Sequence, residues 1–197
     1  MIDRLVLASS NAGKLREFRR LLEPLGFTVI PQAELGIEEA DEPHRTFIEN
    51  ALAKARHASL RGSLPALADD SGICVAALGG APGVHSARYA GEPRSDARNN
   101  AALVDALRNS HDRRAHYYCV LALVRHPDDP QPMIAEGEWH GTIVDEPRGS
   151  GGFGYDPHFQ DEATGMTGAE LPLARKNALS HRGKAMRRMM ARLQSEQ

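Results

Sequence analysis

The stretch LVLASSNAGKLREFRRLLEPLGFTVI, residues 5–30, decides the fold class of this chain. A short apolar run over 5–8 is typical of a buried strand, and it stops at turn and cap formers over 9–13. Over residues 14–25 the apolar side chains recur at helical spacing, and 27–30 has the pattern of another strand. A strand, a helix and a second strand in succession predict an α/β fold.

The rest of the chain continues this alternation of elements. Stripes of apolar residues at helical spacing predict helices over 46–61, 95–109 and 180–196. Apolar runs bounded by turn formers predict strands over 66–68, 73–75, 115–125 and 134–145. Two glycine-containing stretches, 78–91 and 147–157, are expected to be loops. No internal repeat or linker interrupts the pattern, so we expect one domain over residues 1–197.

The composition excludes several classes of protein. With 41% hydrophobic and 25% charged residues, the 197-residue chain has the composition of an ordinary globular protein. A formal net charge of -2 and no long basic block argue against nucleic acid as the partner. No apolar stretch approaches the roughly 20 residues that span a bilayer, and no signal-peptide layout is present. We expect a cytoplasmic protein without a membrane partner. Its two cysteines, Cys74 and Cys119, are expected to be buried free thiols.

The first candidate site is the polar segment Ser9-Ser10-Asn11-Ala12-Gly13-Lys14 between the opening strand and helix. Backbone N–H groups at a helix N-terminus bind anions, and a lysine there adds a full positive charge. Gly13 allows the backbone to approach a phosphate closely. The segment is not a GxxxxGK[ST] phosphate loop, and a simple helix cap with a solvated lysine is the alternative.

Adjacent carboxylates form the second candidate site, in Asp69-Asp70-Ser71-Gly72 at the predicted strand end. Carboxylates suit Mg²⁺, which prefers hard oxygen ligands and keeps several waters. Neighbouring side chains of a strand face opposite ways, so only one of the two aspartates needs to enter a site. The alternative is a turn that uses Asp, Ser and Gly for their local conformations.

One face of the helix predicted over 46–61 is the third candidate. Thr46, Asn50 and Lys54 recur every four residues and therefore share a face, and Glu42 stands just before the helix. An ordinary solvated helix surface is the alternative. The apolar stripe beside this face is predicted to turn inward and to comprise Phe47, Ile48, Ala51, Leu52, Ala55 and Ala58.

A glycine-rich segment with two aromatic residues is the fourth candidate, GGFGYDP at 151–157. Aromatic rings among glycines are poor core and poor helix, but they make a planar platform for a nucleobase. Asp156 is able to accept a hydrogen bond from a ring N–H. The alternative is a glycine-rich turn that is anchored by its aromatic side chains.

The fifth candidate is KNALSHR at 176–182, at the start of the last predicted helix. Ser180 is a natural N-cap, which leaves His181 and Arg182 in the first turn. Cations are disfavoured there by the helix dipole, so a ligand explains them better than stability does. A basic surface cluster is the alternative.

In this order, the five segments make the chain resemble the inosine triphosphate pyrophosphatase family, whose members are also called dITP/XTP pyrophosphatases. The resemblance covers essentially the whole chain and includes GGAPG at 79–83 and SARY at 86–89. It implies hydrolysis of deaminated purine nucleoside triphosphates, such as ITP, dITP and XTP, to the monophosphate and pyrophosphate. It also implies an elongated, two-lobed α/β fold with a long central mixed sheet flanked by helices and a cleft between the lobes. Mg²⁺ dependence and a homodimer are further implications.

The resemblance also assigns roles to residues at the phosphate end of the substrate. Asn11 and Lys14 would hold the phosphates, within the segment 9–14 that binds substrate. Lys54 and Ser71 would lie in the triphosphate region, Lys54 as a catalytic residue. The residues that would enclose the base and sugar are Phe153, Gly154, Tyr155, Asp156, Lys176, His181 and Arg182.

The metal would be served by Glu42 and Asp70, of which Asp70 would be the catalytic carboxylate. A carboxylate bound to Mg²⁺ is a weaker base, so Asp70 either removes a proton or only orients the water and holds the metal. The family usually has a Glu-Thr-Gly-type turn where this chain has Glu42-Pro43-His44-Arg45. Asp41 is therefore an alternative or additional ligand.

Three other functions fit parts of the same pattern. A pyrophosphatase for another altered base, such as a modified pyrimidine, would use the same phosphate chemistry. A regulator on the same fold would bind nucleotide without cleaving it. A phosphatase would use Asp69 or Asp70 as a nucleophile, and would form a phosphoenzyme and release inorganic phosphate.

Overall fold

The structure, a computed structural model, describes residues 2–195 of the chain. Its strands are β1 (Arg4–Leu7), β2 (Thr28–Pro31), β3 (Ala66–Val75), β4 (Arg114–Val124), β5 (Met133–Ile143) and β6 (Phe159–Asp161). Its α-helices are α1 (Ala12–Leu22), α2 (Phe47–Gly62), α3 (Asp96–Ala106), α4 (Leu173–Leu179) and α5 (His181–Ser195). Over this part of the chain, no helix combines the length and the apolar character needed to cross a membrane.

The strands form a mixed sheet in the order β2-β1-β3-β4-β5-β6. Strand β1 pairs in parallel with both β2 and β3, while β5 and β6 are antiparallel. Parallel neighbours need a crossover connection, which α1 supplies between β1 and β2. Helix α2 then connects β2 to β3, which lies on the other side of β1. The α/β class predicted from residues 5–30 is confirmed by this mixed sheet and its flanking helices.

The chain divides into two compact units, each with its own core. The first unit consists of the described residues within Met1–Asp70, Cys119–Glu136 and Gly183–Gln197. Its buried core includes Leu5, Leu7, Phe18, Leu22, Leu67, Cys119, Leu121, Met186 and Met189. The stripe predicted for the last helix comprised Met186, Met189, Met190 and Leu193, of which all but the half-buried Met190 are buried on α5. The predicted end of this helix at residue 196 lies outside the described residues.

The second unit consists of Ser71–Tyr118 and Gly137–Arg182. Aromatic rings form the centre of its core: Phe159 lies 4.7 Å from Tyr117 and 4.9 Å from Trp139 between centroids, in edge-on geometry. The buried indole N–H of Trp139 donates to Oδ1 of Asp161 at 2.6 Å and is therefore satisfied. Cys74 is a free thiol like Cys119, but it is half-buried rather than buried as predicted.

The two strands predicted over 66–68 and 73–75 are wrong in their boundaries, because β3 is one continuous strand. The aspartates Asp69 and Asp70 therefore lie inside a strand and not at a strand-to-turn junction. Their turn-forming tendency is overridden because β3 pairs with neighbours on both sides of the sheet.

Two further differences concern short or terminal elements. Helix α4 and strand β6 were not predicted, since seven and three residues are too few to display a period. Ile48 was assigned to the buried stripe of α2 but is 41% exposed. It follows the exposed residues 43–46 just before the helix, and full burial on α2 begins only at Asn50 and Ala51.

Candidate active site

The segment after β1 is held by side-chain hydrogen bonds at the N-terminus of α1. Asn11 is the N-cap of this helix, which begins at Ala12. Its Oδ1 accepts from the backbone N–H groups of Gly13 and Lys14 at 2.9 and 3.1 Å. The hydroxyl of Ser9 accepts from the N–H of Asn11 at 3.2 Å, and that of Ser10 accepts from Gln32 at 3.3 Å. This cap fixes the loop at the positive end of the helix dipole.

Lys14, in the first turn of α1, reaches the first of the two aspartates of β3. Its Nζ lies 2.9 Å from Oδ2 of Asp69, whose side chain is 1% exposed. Breaking a buried ion pair leaves a buried charge uncompensated, which typically costs ~3–5 kcal/mol. The pair therefore holds the ammonium group of Lys14 in one place.

Lys54, on α2, lies between two carboxylates. Its Nζ is 2.5 Å from Oε1 of Glu42 and 3.3 Å from Oδ1 of Asp70. One turn earlier on α2, the Nδ2 group of Asn50 donates to the other oxygen of Asp70, at 3.3 Å. Of the three residues predicted to share one face of this helix, Asn50 and Lys54 do so, because both side chains reach the same carboxylate. Thr46 is instead the exposed N-cap of α2 and bonds to Glu49.

We call Lys14, Glu42, Lys54, Asp69 and Asp70 the charged cluster. Burial raises the pKa of Asp70, although the two lysines oppose this. Burial lowers the pKa of Lys54, but the carboxylates of Asp70, Asp69 and Glu42 outweigh it, so the pKa is raised and the side chain stays cationic. Three carboxylates against two ammonium groups leave the charged cluster with an excess of negative charge.

The donor set of the charged cluster fits a magnesium ion. Within residues 2–195 no group of three or more His, Cys, Asp or Glu side chains has an arrangement that could hold a metal. Mg²⁺ is commonly held by only one or two carboxylates, with water and substrate phosphates as its other ligands. Glu42 and Asp70 supply such a pair, and Asp41 is exposed.

The glycine-rich segment 151–157, which we call the aromatic loop, is organised by a buried carboxylate. Asp156 is 3% exposed, and its Oδ2 accepts from the N–H of Phe153 at 2.9 Å and from Nζ of Lys176 at 2.7 Å. Its Oδ1 accepts from the hydroxyl of Tyr117 at 3.4 Å. A Cβ on Gly152, where φ is +73°, would lie 2.1 Å from Oδ2 of Asp156. These contacts use both oxygens of Asp156 to shape the loop.

Two cations lie against the ring of Phe153. Nζ of Lys176 is 5.0 Å and Cζ of Arg182 is 5.3 Å from the ring centroid, within the range of cation–π attraction. Nη2 of Arg182 also donates to Oγ of Ser71 at 3.0 Å. Both cations are buried, whereas Phe153 is half-buried. The first turn of α5 thus places a guanidinium beside the aromatic loop.

His181, Tyr117 and Tyr155 are buried within the second unit. The ring of His181 stacks on Tyr117 with centroids 4.7 Å apart and planes at 6°. The hydroxyl of Tyr155 donates to the carbonyl oxygen of Ser86 at 2.8 Å. Burial raises the pKa of both tyrosines. His181 was predicted beside the base, and the structure places its ring in a buried stack.

Comparison with known proteins identifies the family. The Ham1 family model matches residues 5–192. The chain belongs to the Ham1 family. It is 66% identical to the dITP/XTP pyrophosphatase of Aromatoleum aromaticum, over 98% of each chain. It is 64% identical to the Nitrosomonas europaea protein of the same name, over 98% of this chain and 95% of that one. The predicted resemblance to dITP/XTP pyrophosphatases is confirmed.

Solved structures of Ham1 proteins have the same fold. The HAM1 protein from Coxiella burnetii superimposes with a TM-score of 0.92 at 46% identity, covering 99% of this chain and 100% of that one. The Staphylococcus aureus Ham1 protein gives a TM-score of 0.87 at 37% identity, covering 98% and 100%. The nucleoside-triphosphatase / dITP/XTP pyrophosphatase from Mycobacterium abscessus gives 0.76 at 39%, covering 96% and 98%.

In this Ham1 chain, each unit gathers one group of the residues selected from sequence. The first unit holds Ser9, Ser10, Asn11, Ala12, Gly13, Lys14, Glu42, Lys54 and Asp70. The second unit holds Ser71, Phe153, Gly154, Tyr155, Asp156, Lys176, His181 and Arg182. Tyr117, in a mainly apolar strand, was not selected from sequence. Asp69 was named beside Asp70 but was given no role in the predicted pyrophosphatase, because nothing local shows which of the two aspartates meets Lys14.

Proposed function

We propose that this Ham1 protein hydrolyses deaminated purine nucleoside triphosphates, such as ITP, dITP and XTP, to the monophosphate and pyrophosphate. Such an activity removes aberrant purines from the nucleotide pool. The observation that carries the proposal is the charged cluster, in which two half-buried lysines are held against three carboxylates. Relatives at 64–66% identity over nearly the whole chain, named dITP/XTP pyrophosphatase, support it.

The triphosphate is proposed to bind at the N-terminus of α1, where Asn11 fixes the loop. Lys14 and Lys54 then offset the charge of the phosphates, and Lys54 offsets the charge that builds on the departing pyrophosphate. Both ammonium groups are already held by ion pairs with Asp69, Asp70 and Glu42. Groups held in place before binding lose less entropy when the substrate arrives.

We propose that Mg²⁺ is the cofactor and that Glu42 and Asp70 hold it. When bound, the ion polarises phosphate oxygens and neutralises their charge. Asp70 orients the water that attacks the α-phosphorus, and Asn50 fixes the plane of its carboxylate by donating to Oδ2. Phosphoryl chemistry of this kind depends mostly on positioning and charge neutralisation, which these fixed side chains supply.

The purine is proposed to bind at the aromatic loop, on the half-buried ring of Phe153. Hypoxanthine and xanthine carry O6 and N1–H, whereas adenine carries an amino group and a bare N1. Arg182 offers planar donors for O6, and a site built to pair such groups can discriminate by ~10⁴–10⁵. The carboxylate of Asp156 shapes this platform through its contacts with Phe153 and Lys176.

Assembly and location complete the proposal. We propose a cytoplasmic homodimer without a nucleic-acid partner, in which residues 1–197 form one domain. A single cooperative unfolding transition, as small domains usually show, is the expected sign of one domain. Light scattering of the purified protein in solution tests the dimer.

A panel of triphosphates tests the proposed function. ITP, dITP, XTP, GTP, ATP and a modified pyrimidine triphosphate are each incubated with Mg²⁺ or with EDTA, and pyrophosphate and phosphate are measured separately. We expect pyrophosphate from the 6-oxo purines, and none in EDTA. Phosphate with a phosphoenzyme would indicate a phosphatase, and binding without turnover would indicate a regulator. A preference for the pyrimidine would indicate a different altered base.

A further inference from the structure

Helix α3 holds the aromatic loop by both backbone groups of one residue. The N–H of Gly154 donates to Oδ2 of Asp96 at 2.7 Å, and Nδ2 of Asn100 donates to the carbonyl oxygen of Gly154 at 2.9 Å. Asp96 and Asn100 are four residues apart on α3 and therefore lie on one face of the helix. The loop 151–157 contains no helix or strand, so these side chains replace the hydrogen bonds of regular structure.

Gly154 is a point of conformational freedom in the loop. Its φ is +62°, in the left-handed region, and an added Cβ would meet nothing within 4 Å. The backbone conformation, and not lack of space, therefore favours glycine at this position. Glycine has more accessible backbone conformations than any other residue, and two side-chain hydrogen bonds restrict it to one.

The environment of Asn100 indicates a purpose other than stability. The residue is 9% exposed, and its Oδ1 has no hydrogen-bond partner among residues 2–195. Burying an amide oxygen without a partner is unfavourable, and an apolar side chain of similar size would avoid that cost. Compared with an apolar side chain, Asn100 adds the Nδ2 group that donates to the carbonyl oxygen of Gly154.

The tethered glycine lies between the two aromatic residues of the loop. Phe153 carries the cation–π contacts with Lys176 and Arg182, and the hydroxyl of Tyr155 is bonded to the Ser86 carbonyl. The path of the backbone at Gly154 sets the direction in which both neighbouring rings leave it. Holding this peptide therefore holds the platform in one orientation.

We propose that Asp96 and Asn100 are positioning residues for the nucleobase, which hold the aromatic loop ready before substrate binds. This inference rests on the proposed function, in which the base lies on Phe153. An ordered platform lowers the entropy lost on binding and serves the ground state and the transition state alike. We call the two hydrogen bonds from Asp96 and Asn100 to Gly154 the tether. Its loss should therefore raise KM and leave kcat nearly unchanged.

The test compares tether variants with dITP as substrate. Asn100→Leu and Asp96→Ala should each raise KM about tenfold, with kcat within about threefold of wild type. Asp96→Asn keeps an acceptor oxygen and should restore KM to within about threefold. Inhibition by inorganic tripolyphosphate, which has no base, should be unchanged in all three variants. Asn100→Leu should change the melting temperature little, because losing the hydrogen bond to the Gly154 carbonyl is offset by removing an unsatisfied buried oxygen.

Asp105→Ala is the matched control, since it removes an exposed carboxylate from the same helix. If KM for dITP is unchanged in both tether variants, or if dITP and tripolyphosphate weaken equally, the positioning role is wrong. If Asn100→Leu fails to fold because Asn100 is buried, Asp96→Ala decides the question, since Asp96 is exposed. If the wild type releases no pyrophosphate, the proposed function is wrong. If the wild type is active but KM is unchanged in the variants, only the positioning role is wrong.

Discussion

The ammonium group of Lys54 lies 3.3 Å from Oδ1 of Asp70, and the amide of Asn50 lies 3.3 Å from the other oxygen of the same carboxylate. Both contacts come from one face of α2, so a single helix fixes the orientation of Asp70. A carboxylate held in this way is suited to orient a water molecule, because it does not have to be ordered again at the moment of reaction.

Asp70→Asn should abolish most of the activity while the fold is retained. The substitution keeps the shape of the side chain but removes the charge that would hold Mg²⁺ and orient water. We expect kcat to fall by at least ~10²-fold, the scale of losing a positioned group at a reacting centre. EDTA should abolish the activity of the wild type, and added Mg²⁺ should restore that activity. Asp105→Asn, an exposed carboxylate on α3, is the control, and near-normal turnover of Asp70→Asn would overturn the assignment.

Lys14→Ala should weaken turnover of all nucleotides by similar factors. Lys14 is paired with Asp69 in the first unit, where we place the triphosphate, and phosphate contacts carry no information about the base. The measurement is kcat/KM for ITP, XTP and GTP in the wild type and the variant. A loss confined to ITP would show that Lys14 contacts the other end of the substrate.

The opening of the chain could be predicted from sequence because its signals are local. The strand, helix and strand over 5–30 each show their own apolar pattern, and Asn11 is a residue type that caps helices. The shared face of Asn50 and Lys54 likewise follows from helical spacing alone. Such features depend on neighbours three or four residues away, and the structure confirms them.

The parts that could not be predicted depend on residues far apart in sequence. Nothing local shows that Asp69 meets Lys14, or that Tyr117 in an apolar strand donates to Asp156, 39 residues away. The continuity of β3 through its aspartates is also set by neighbouring strands and not by local preference. Tether contacts from α3 to Gly154, 58 residues from Asp96, belong to the same class.

Tyr155→Phe should change how stability depends on alkaline pH. Burial raises the pKa of Tyr155 in the folded protein above its ordinary value of about 10. The folded state therefore keeps a proton that the unfolded state loses, and the contribution of Tyr155 to stability is full below about pH 10 and falls above it. Urea unfolding between pH 8 and 11.5 should show the stability difference between wild type and variant shrinking above about pH 10. If the stability difference between wild type and variant stays constant from pH 8 to 11.5, burial does not raise the pKa of Tyr155.

Arg182→Ala tests where the purine is selected. The guanidinium lies 5.3 Å from the centroid of Phe153 and donates to Ser71, so it is held beside the proposed platform. Losing a hydrogen bond from a charged donor to O6 should cost ~1.5–3 kcal/mol, which is roughly ten- to a hundredfold in kcat/KM. ITP, XTP and GTP should lose this factor, whereas the slow reaction with ATP should change little.

Two matched variants separate base recognition from the structural contacts of Arg182. Arg182→Lys keeps the charge but loses the planar donors, so it should lose selectivity for ITP over ATP almost as fully as alanine does. Ser71→Ala removes the hydrogen bond from Arg182 but keeps the guanidinium, so any loss should be shared by all four substrates. A common factor for all four substrates in Arg182→Ala would make Arg182 a phosphate or structural residue. Base selection would then belong to the aromatic loop, where Phe153 and the tethered Gly154 are the residues to change next.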